Sequence, residues 1–167
     1  MPSITFTDEE QRQWYAGLPT MTGAAAALIT DPSGSPLLVK PNYRDSWSLP
    51  GGILEHGETP HDGCAREVAE ELGLTVAPGP LLAVAWLPPE GNRLRAFVFF
   101  MFDGGEVAAD VEIKLQDEEL EGYAFVAPGE LSAYLPPFIE ARVRGAMDAR
   151  AAGTTAYLPN GVAWPAK

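Results

Sequence analysis

Residues Gly52 to Leu74 constrain this chain more than any other stretch. Thr59 is a favourable N-cap, Pro60 suits the first helical position, and Asp62 stands where a capping box places its acid. A helix is therefore predicted to begin there. Cys64, Ala65, Val68, Ala69 and Leu72 recur at three- and four-residue spacing and define an apolar face. Gly73 follows, where a left-handed residue ends a helix. The other face is acidic: Glu67, Glu70 and Glu71 fall at i, i+3 and i+4, with Cβ atoms roughly 5–6 Å apart. Like charges so spaced oppose the helix unless a cation lies among them. Arg66 can reach Glu70 one turn on, and a divalent ion would supply the rest. All-oxygen donors favour Mg²⁺ or Mn²⁺ over zinc, because no His or Cys shares that face.

The spacing Gly52, five residues, Glu58, seven residues, Arg66-Glu67-Val68, one residue, Glu70-Glu71, one residue, Gly73-Leu74 resembles the Nudix box at every position. A merely solvated acidic helix, the usual fate of a charge run, would need all these placements by accident. The resemblance implies an α/β fold, the Nudix α/β/α sandwich with a mixed central β-sheet. It also implies a Mg²⁺-dependent (or Mn²⁺-dependent) hydrolase that cleaves the pyrophosphate bond of a nucleoside diphosphate linked to another group. Substrates of ADP-ribose, nucleotide-sugar or oxidised nucleoside triphosphate type, and a non-nucleotide diphosphate, all remain open. By the same resemblance Glu67, Glu70, Glu71 and the backbone carbonyl of Gly51, in the Leu49-Pro50-Gly51-Gly52 lead-in, hold the metal. Glu58 braces the loop by bridging to Arg66, and Glu67 or Glu119 takes the proton from the attacking water. Glu119, with Glu118 as understudy, stands in the region of the family's late acidic loop. Pro89, fifteen residues beyond Leu74, is a weak marker of ADP-ribose hydrolases. Two rival readings stay open: a catalytically silent nucleotide-binding module, and an isoprenoid diphosphate isomerase, which needs a catalytic cysteine that Cys64 is poorly placed to be.

The family's substrates are polyanions, yet this 167-residue chain carries a formal charge of −12. Such a charge argues against nucleic acid polymers and anionic membranes as partners, and for a small-molecule nucleoside diphosphate derivative met by local arginines. With 46% hydrophobic residues, a single domain over 1–167 is expected, with a helical extension at 1–19 and a tail at 154–167. Cys64 is the lone cysteine and fits core packing in a reducing, cytoplasmic setting. His56 and His61 lack partners at metal-site spacing and read as exposed polar residues.

Along the chain, Thr7-Asp-Glu-Glu10 opens a helix to about Ala16, whose Trp14 and Tyr15 are expected to dock on the domain, a homodimer contact being the alternative. Gly23 to Thr30 reads as a buried strand, with Pro36 to Lys40 as its hairpin partner after the Asp31-Pro-Ser-Gly34 turn. In the following loop Arg44 is a candidate phosphate clamp, while Tyr43 or Trp47 could stack on a base. Trp47 reads equally well as a core anchor. Leu81–Leu87 and Leu94–Phe102 read as paired strands, and Arg93 and Arg95 then share one face, either lining the cleft as candidates for neutralising a substrate phosphate or meeting solvent. Asp103 to Asp110 reads as an acidic turn region. A strand is expected at Tyr123–Val126, a helix start at Pro128–Leu131, and a helix from Pro136 to Ala152. Tyr157 and Trp164 are expected to pack over the domain edge.

Overall fold

A strand buried on both faces organises the molecule. The computed structural model describes residues 6–108 and 110–159. Within them β1 (Met21–Thr30) is buried from Ala24 to Thr30. Ala26 and Leu28 enter one hydrophobic cluster, while Ala25, Ala27 and Ile29 enter another. A strand covered on both sides has no polar face to show, so Gly23 to Thr30 is one continuous apolar run.

Around it lie β3 (Gly51–Ile53), β4 (Leu81–Leu87), β5 (Ala96–Glu106) and β7 (Ala156–Pro159), in a five-stranded sheet of order β3-β1-β5-β4-β7. The β1–β5 and β4–β7 pairs are parallel, and β1–β3 and β4–β5 are antiparallel. Two helices cover it. Helix α2 (Pro60–Leu72) adds Cys64, Val68 and Leu72 to one cluster, and α4 (Pro137–Ala152) adds Ile139, Val143 and Ala146 to the other. The result is the expected α/β/α sandwich on a mixed sheet.

Several local expectations change. Pro36 to Lys40 is not the hairpin partner of β1. It forms most of β2 (Leu37–Pro41), which pairs antiparallel with β6 (Leu120–Phe125) in a separate two-stranded sheet. Both edges of β1 are already taken by β3 and β5, so β2 meets it only at the Thr30–Pro36 bridge. Asp103 to Glu106 is not a turn but the end of β5, where Asp103 pairs with Arg150 at 2.8 Å. Arg93 and Arg95 precede β5 and share no strand face. Helix α1 (Asp8–Ala16) has its capping box, yet none of its residues is buried. Trp14 and Tyr15 are 55% and 60% exposed, so they do not dock on the sheet. A single helical turn, α3 (Leu131–Tyr134), follows the 3₁₀ turn Pro128–Glu130 and precedes α4. The tail contributes β7, with Tyr157 largely exposed on it, and Trp164 lies outside the described residues.

Gly51 sits where β3 crosses β1 most closely. Its φ is 141°, and a Cβ there would stand 2.2 Å from the Ala25 carbonyl oxygen and 2.5 Å from the Ala26 Cα. Neither backbone can yield without breaking the strand pair. Gly51→Ala is expected to destabilise the protein by about 3 kcal/mol or more in urea unfolding, since a strained backbone and overpacking add. Gly34→Ala, at φ +81° with nothing within 4 Å, serves as the control, with an expected loss of about 1 kcal/mol from strain alone. Equal stability of the two variants would refute the close-approach argument.

Candidate active site

The ends of α2 are fixed by the residues the sequence singles out. Thr59 Oγ1 accepts the Asp62 N–H at 3.2 Å, Pro60 occupies the first turn, and Gly73 takes the left-handed conformation at φ 65°. The Asp62 carboxylate accepts from the Thr59 hydroxyl at 2.6 Å. At the far end the Lys114 and Gln116 N–H groups donate to the Leu72 and Glu71 carbonyls at 2.9 and 3.1 Å. Carbonyls that a helix end would leave open are thus satisfied by the segment that leads to Glu119.

Arg66 is the hub of the outer face. Its Nε and Nη2 fork onto the Glu58 carboxylate at 2.9 and 3.0 Å. Nη1 donates to Glu67 and to Glu70, each at 2.9 Å, and Nη2 also reaches the Ile53 carbonyl at 3.1 Å. These contacts take up the five N–H donors a guanidinium possesses. The Arg66 hydrogen bond holds the Glu58 carboxyl below its ordinary range, and Glu58 in turn raises the guanidinium further. Glu58 therefore braces the loop against the helix.

The three helix carboxylates part company. Glu70 is half exposed beside Arg66. Glu67 packs against Gly52, where a Cβ would come within 2.5 Å of its Oε1. Burial pushes the Glu67 carboxyl upward against the pull of Arg66, with Glu70 and Glu119 adding repulsion. Glu71 does not share the outer face at all: it is buried at the seam between α2 and β3, and its Oε2 accepts the Gly51 N–H at 2.7 Å. Burial raises its carboxyl to about 8, with Glu67 and Glu119 contributing in the same direction. Glu119 itself is exposed, on the loop tied to the end of α2.

Among the described residues no three acidic, His or Cys side chains converge into a ready coordination cage. Glu67 and Glu70 share the Nη1 of Arg66, while Glu71 turns to the Gly51 amide. The donor chemistry nevertheless fits a hard divalent cation. Glu67 and Glu71 are desolvated oxygens facing adjacent residues of one strand, in a field where only acids oppose them, apart from Arg66 and the more distant Arg44. An ion entering there would share Glu67 and Glu70 with Arg66.

On the other side of Gly51 and Gly52 opens a cavity of about 260 Å³. Arg44 lines it and donates to Ser48 Oγ at 2.7 Å, with its guanidinium 5.8 Å from the Tyr43 ring. Trp47 does not line the cavity. It packs on the core with its ring 5.2 Å from that of Tyr134, edge to face, so the core-anchor reading describes its position. Arg93 does not line the cavity either, binding the Pro88 carbonyl at 2.9 Å and Glu90 at 3.3 Å in the loop before β5. Arg95 is exposed beside it. Sequence reasoning overlooked Phe97, Phe99 and Arg142, which do line the cavity. For Arg142 a signal existed: it falls three residues after Ile139 and one before Val143, a charged residue on the buried face of α4.

A profile of the NUDIX domain matches residues 20–147. A putative 8-oxo-dGTP diphosphatase of Bacillus subtilis is 30% identical over 116 residues, covering 70% of this chain and 73% of that protein. A putative ADP-ribose pyrophosphatase of the same species is 44% identical over 48 residues, covering 29% of this chain and 23% of that protein. Among solved structures, the MutT protein of Methanosarcina mazei superposes with a TM-score of 0.66 at 28% identity, covering 81% of this chain and 96% of that one.

Two outcomes follow from the geometry around α2. Arg66→Ala strands the Glu58 and Glu67 carboxylates together, and is expected to lower the melting temperature by several degrees, whereas Arg66→Lys recovers only part because an ammonium cannot fork. Cys64 is fully buried and its thiol is pushed up to about 12 by burial. At pH 8 it should resist iodoacetamide in the folded protein and react once the chain is unfolded, as read by mass spectrometry.

Proposed function

The chain belongs to the Nudix hydrolase family, and on that footing we propose that it is a Mg²⁺-dependent diphosphohydrolase acting on a nucleoside diphosphate linked to a second group. One observation carries the reading. Glu67 and Glu71 are desolvated carboxylates held against the adjacent glycines Gly52 and Gly51, beside a cavity on whose wall stands Arg44. Two carboxylates so placed cannot both stay ionised without a compensating cation, and Arg66 pairs directly with Glu67 but not with Glu71, which is held up to about 8.

We assign Glu67, Glu70, Glu71 and the Gly51 carbonyl as the metal-holding groups. A divalent ion bound there would offset the charge of the diphosphate and acidify a water molecule. Either Glu67 or Glu119 accepts the proton as water attacks phosphorus and the bridging phosphorus–oxygen bond breaks. Support for Glu119 comes from its charge, which bears on both Glu67 and Glu71. The products are a phosphomonoester and the other phosphorylated half. Arg66 acts as a positioning residue, since its donors are spent on Glu58, Glu67, Glu70 and Ile53. Arg44 is assigned to a substrate phosphate, because its guanidinium lines the cavity across Gly51 and Gly52 from the carboxylates and its charge bears on Glu71.

The two relatives are named for different substrates, an oxidised nucleoside triphosphate and ADP-ribose. Both classes belong in one screen, with each product identified by mass spectrometry. The metal assignment is checked with whichever substrate turns over. Glu70→Gln and Glu71→Gln are each expected to cut Mg²⁺-dependent turnover by about 100-fold or more with circular dichroism unchanged. Undiminished turnover in either variant would remove that glutamate from the site.

A further inference from the structure

We propose that Arg142 receives an anionic group, a phosphate or a carboxylate, carried by the substrate's second moiety beyond the diphosphate. The proposal rests on the reading that the diphosphate lies over Glu67 and Glu71, because that puts the second moiety within reach of the cavity next to Gly51 and Gly52.

Arg142 is anomalous among the arginines. It is only 9% exposed. Its Nε donates to the Phe138 carbonyl at 3.1 Å, and its guanidinium carbon lies 5.3 Å from the Phe99 ring and 5.5 Å from the Phe138 ring. Among the described residues no carboxylate pairs with it, and neither Nη atom has a hydrogen-bond partner. The other half-buried arginines each have an acid: Arg66 has Glu58, Arg93 has Glu90, Arg144 has Glu140, and Arg150 has Asp103. In a chain with 23 acidic against 11 basic residues, excluding histidine, scarcity of carboxylates does not explain the exception.

A buried charge without a counter-charge costs stability, and this one cannot be shed at neutral pH. Burial lowers its ionisation only to about 10, with Arg44 and Arg93 adding repulsion. The surroundings thus gather positive charge inside a negative protein. The two aromatic rings offset the cation partly through their electron-rich faces, but they leave the Nη edge free for an acceptor. A neutral base edge would supply only dipoles. An anion removes the net charge and matches the planar fork with two parallel hydrogen bonds. Phe97 and Phe99 give the cavity an apolar wall for the carbon scaffold bearing that anion.

The alternative is that Arg142 merely packs, as an aromatic-stacked plug between α4 and β5. Two pairs of substrates separate these roles. ADP-ribose and its 1″-phosphate differ by a phosphate on the terminal ribose, while UDP-glucose and UDP-glucuronic acid differ by a carboxylate on the sugar. Wild-type protein is expected to favour the charged member of at least one pair by about tenfold or more in kcat/KM with Mg²⁺. The pair that responds identifies the anion. Arg142→Met should erase the preference, lowering kcat/KM on the charged member by about tenfold more than on the neutral one. Arg142→Lys should keep part of it, and keeps the test decisive if the Met variant folds poorly. A packing role predicts equal losses on both members. No preference in the wild type, or a preference that survives in both variants, would overturn the proposal. Calorimetric titration of the same four compounds reads the subsite without turnover. Arg142-dependent binding with no hydrolysis would sink the hydrolase reading alone, whereas hydrolysis with no such preference would sink only the subsite.

Discussion

One guanidinium holds the acidic helix to the loop that precedes it. Arg66 touches Glu58 and the Ile53 carbonyl on the loop side, and Glu67 and Glu70 on the helix side. Without a charge at that point, the carboxylates would repel each other and the loop would lose its principal tie to the helix. Because each donor is committed, Arg66 is fixed by both sides at once, and so are the carboxylates it touches. This is the kind of second layer that keeps functional oxygens within tenths of an ångström of one position.

Small residues do the complementary work on the sheet side. Four consecutive alanines, Ala24 to Ala27, let β1 sit between α2 and α4 with little side-chain thickness on either face. Gly51 then approaches β1 where no Cβ fits, and Gly52 leaves room for the Glu67 carboxylate. The acidic cluster and the arginine-lined cavity therefore lie on opposite sides of a ribbon three residues long. Arg44 lines the cavity, yet its charge bears on Glu71 across that ribbon.

What could be read from the sequence follows from how local each determinant is. The start, end and apolar face of α2, the Arg66–Glu58 brace and the sandwich architecture rest on spacing within about one or two helical turns, or on the box as a unit. The partner of β2 could not be read, because pairing depends on which edges of β1 remain free, and β3 and β5 occupy both. Alternation gives Arg93 and Arg95 a shared face only if the strand includes them, and β5 begins at Ala96. Spacing puts Glu71 on the face of Glu67 and Glu70, because helical period cannot tell a solvent seam from the strand seam it occupies. Trp47 was undecidable for a related reason: an aromatic in a loop has no periodicity, and only Tyr134, far along the chain, fixes it. Arg142 carried its own signal, a cation on an apolar helix face, which periodicity treats as noise.

The amides of Lys114 and Gln116 give the segment before β6 an unusual dependence. By completing the last turn of α2, they make that segment a continuation of the helix rather than a free flap. Glu119 is three residues beyond Gln116, whose carbonyl accepts its N–H at 3.0 Å. The carboxylate therefore arrives on a short, anchored arm. Swinging that segment away would reopen two carbonyls at the helix terminus, so its backbone is moored to α2 while the Glu119 side chain stands exposed at the end of the arm.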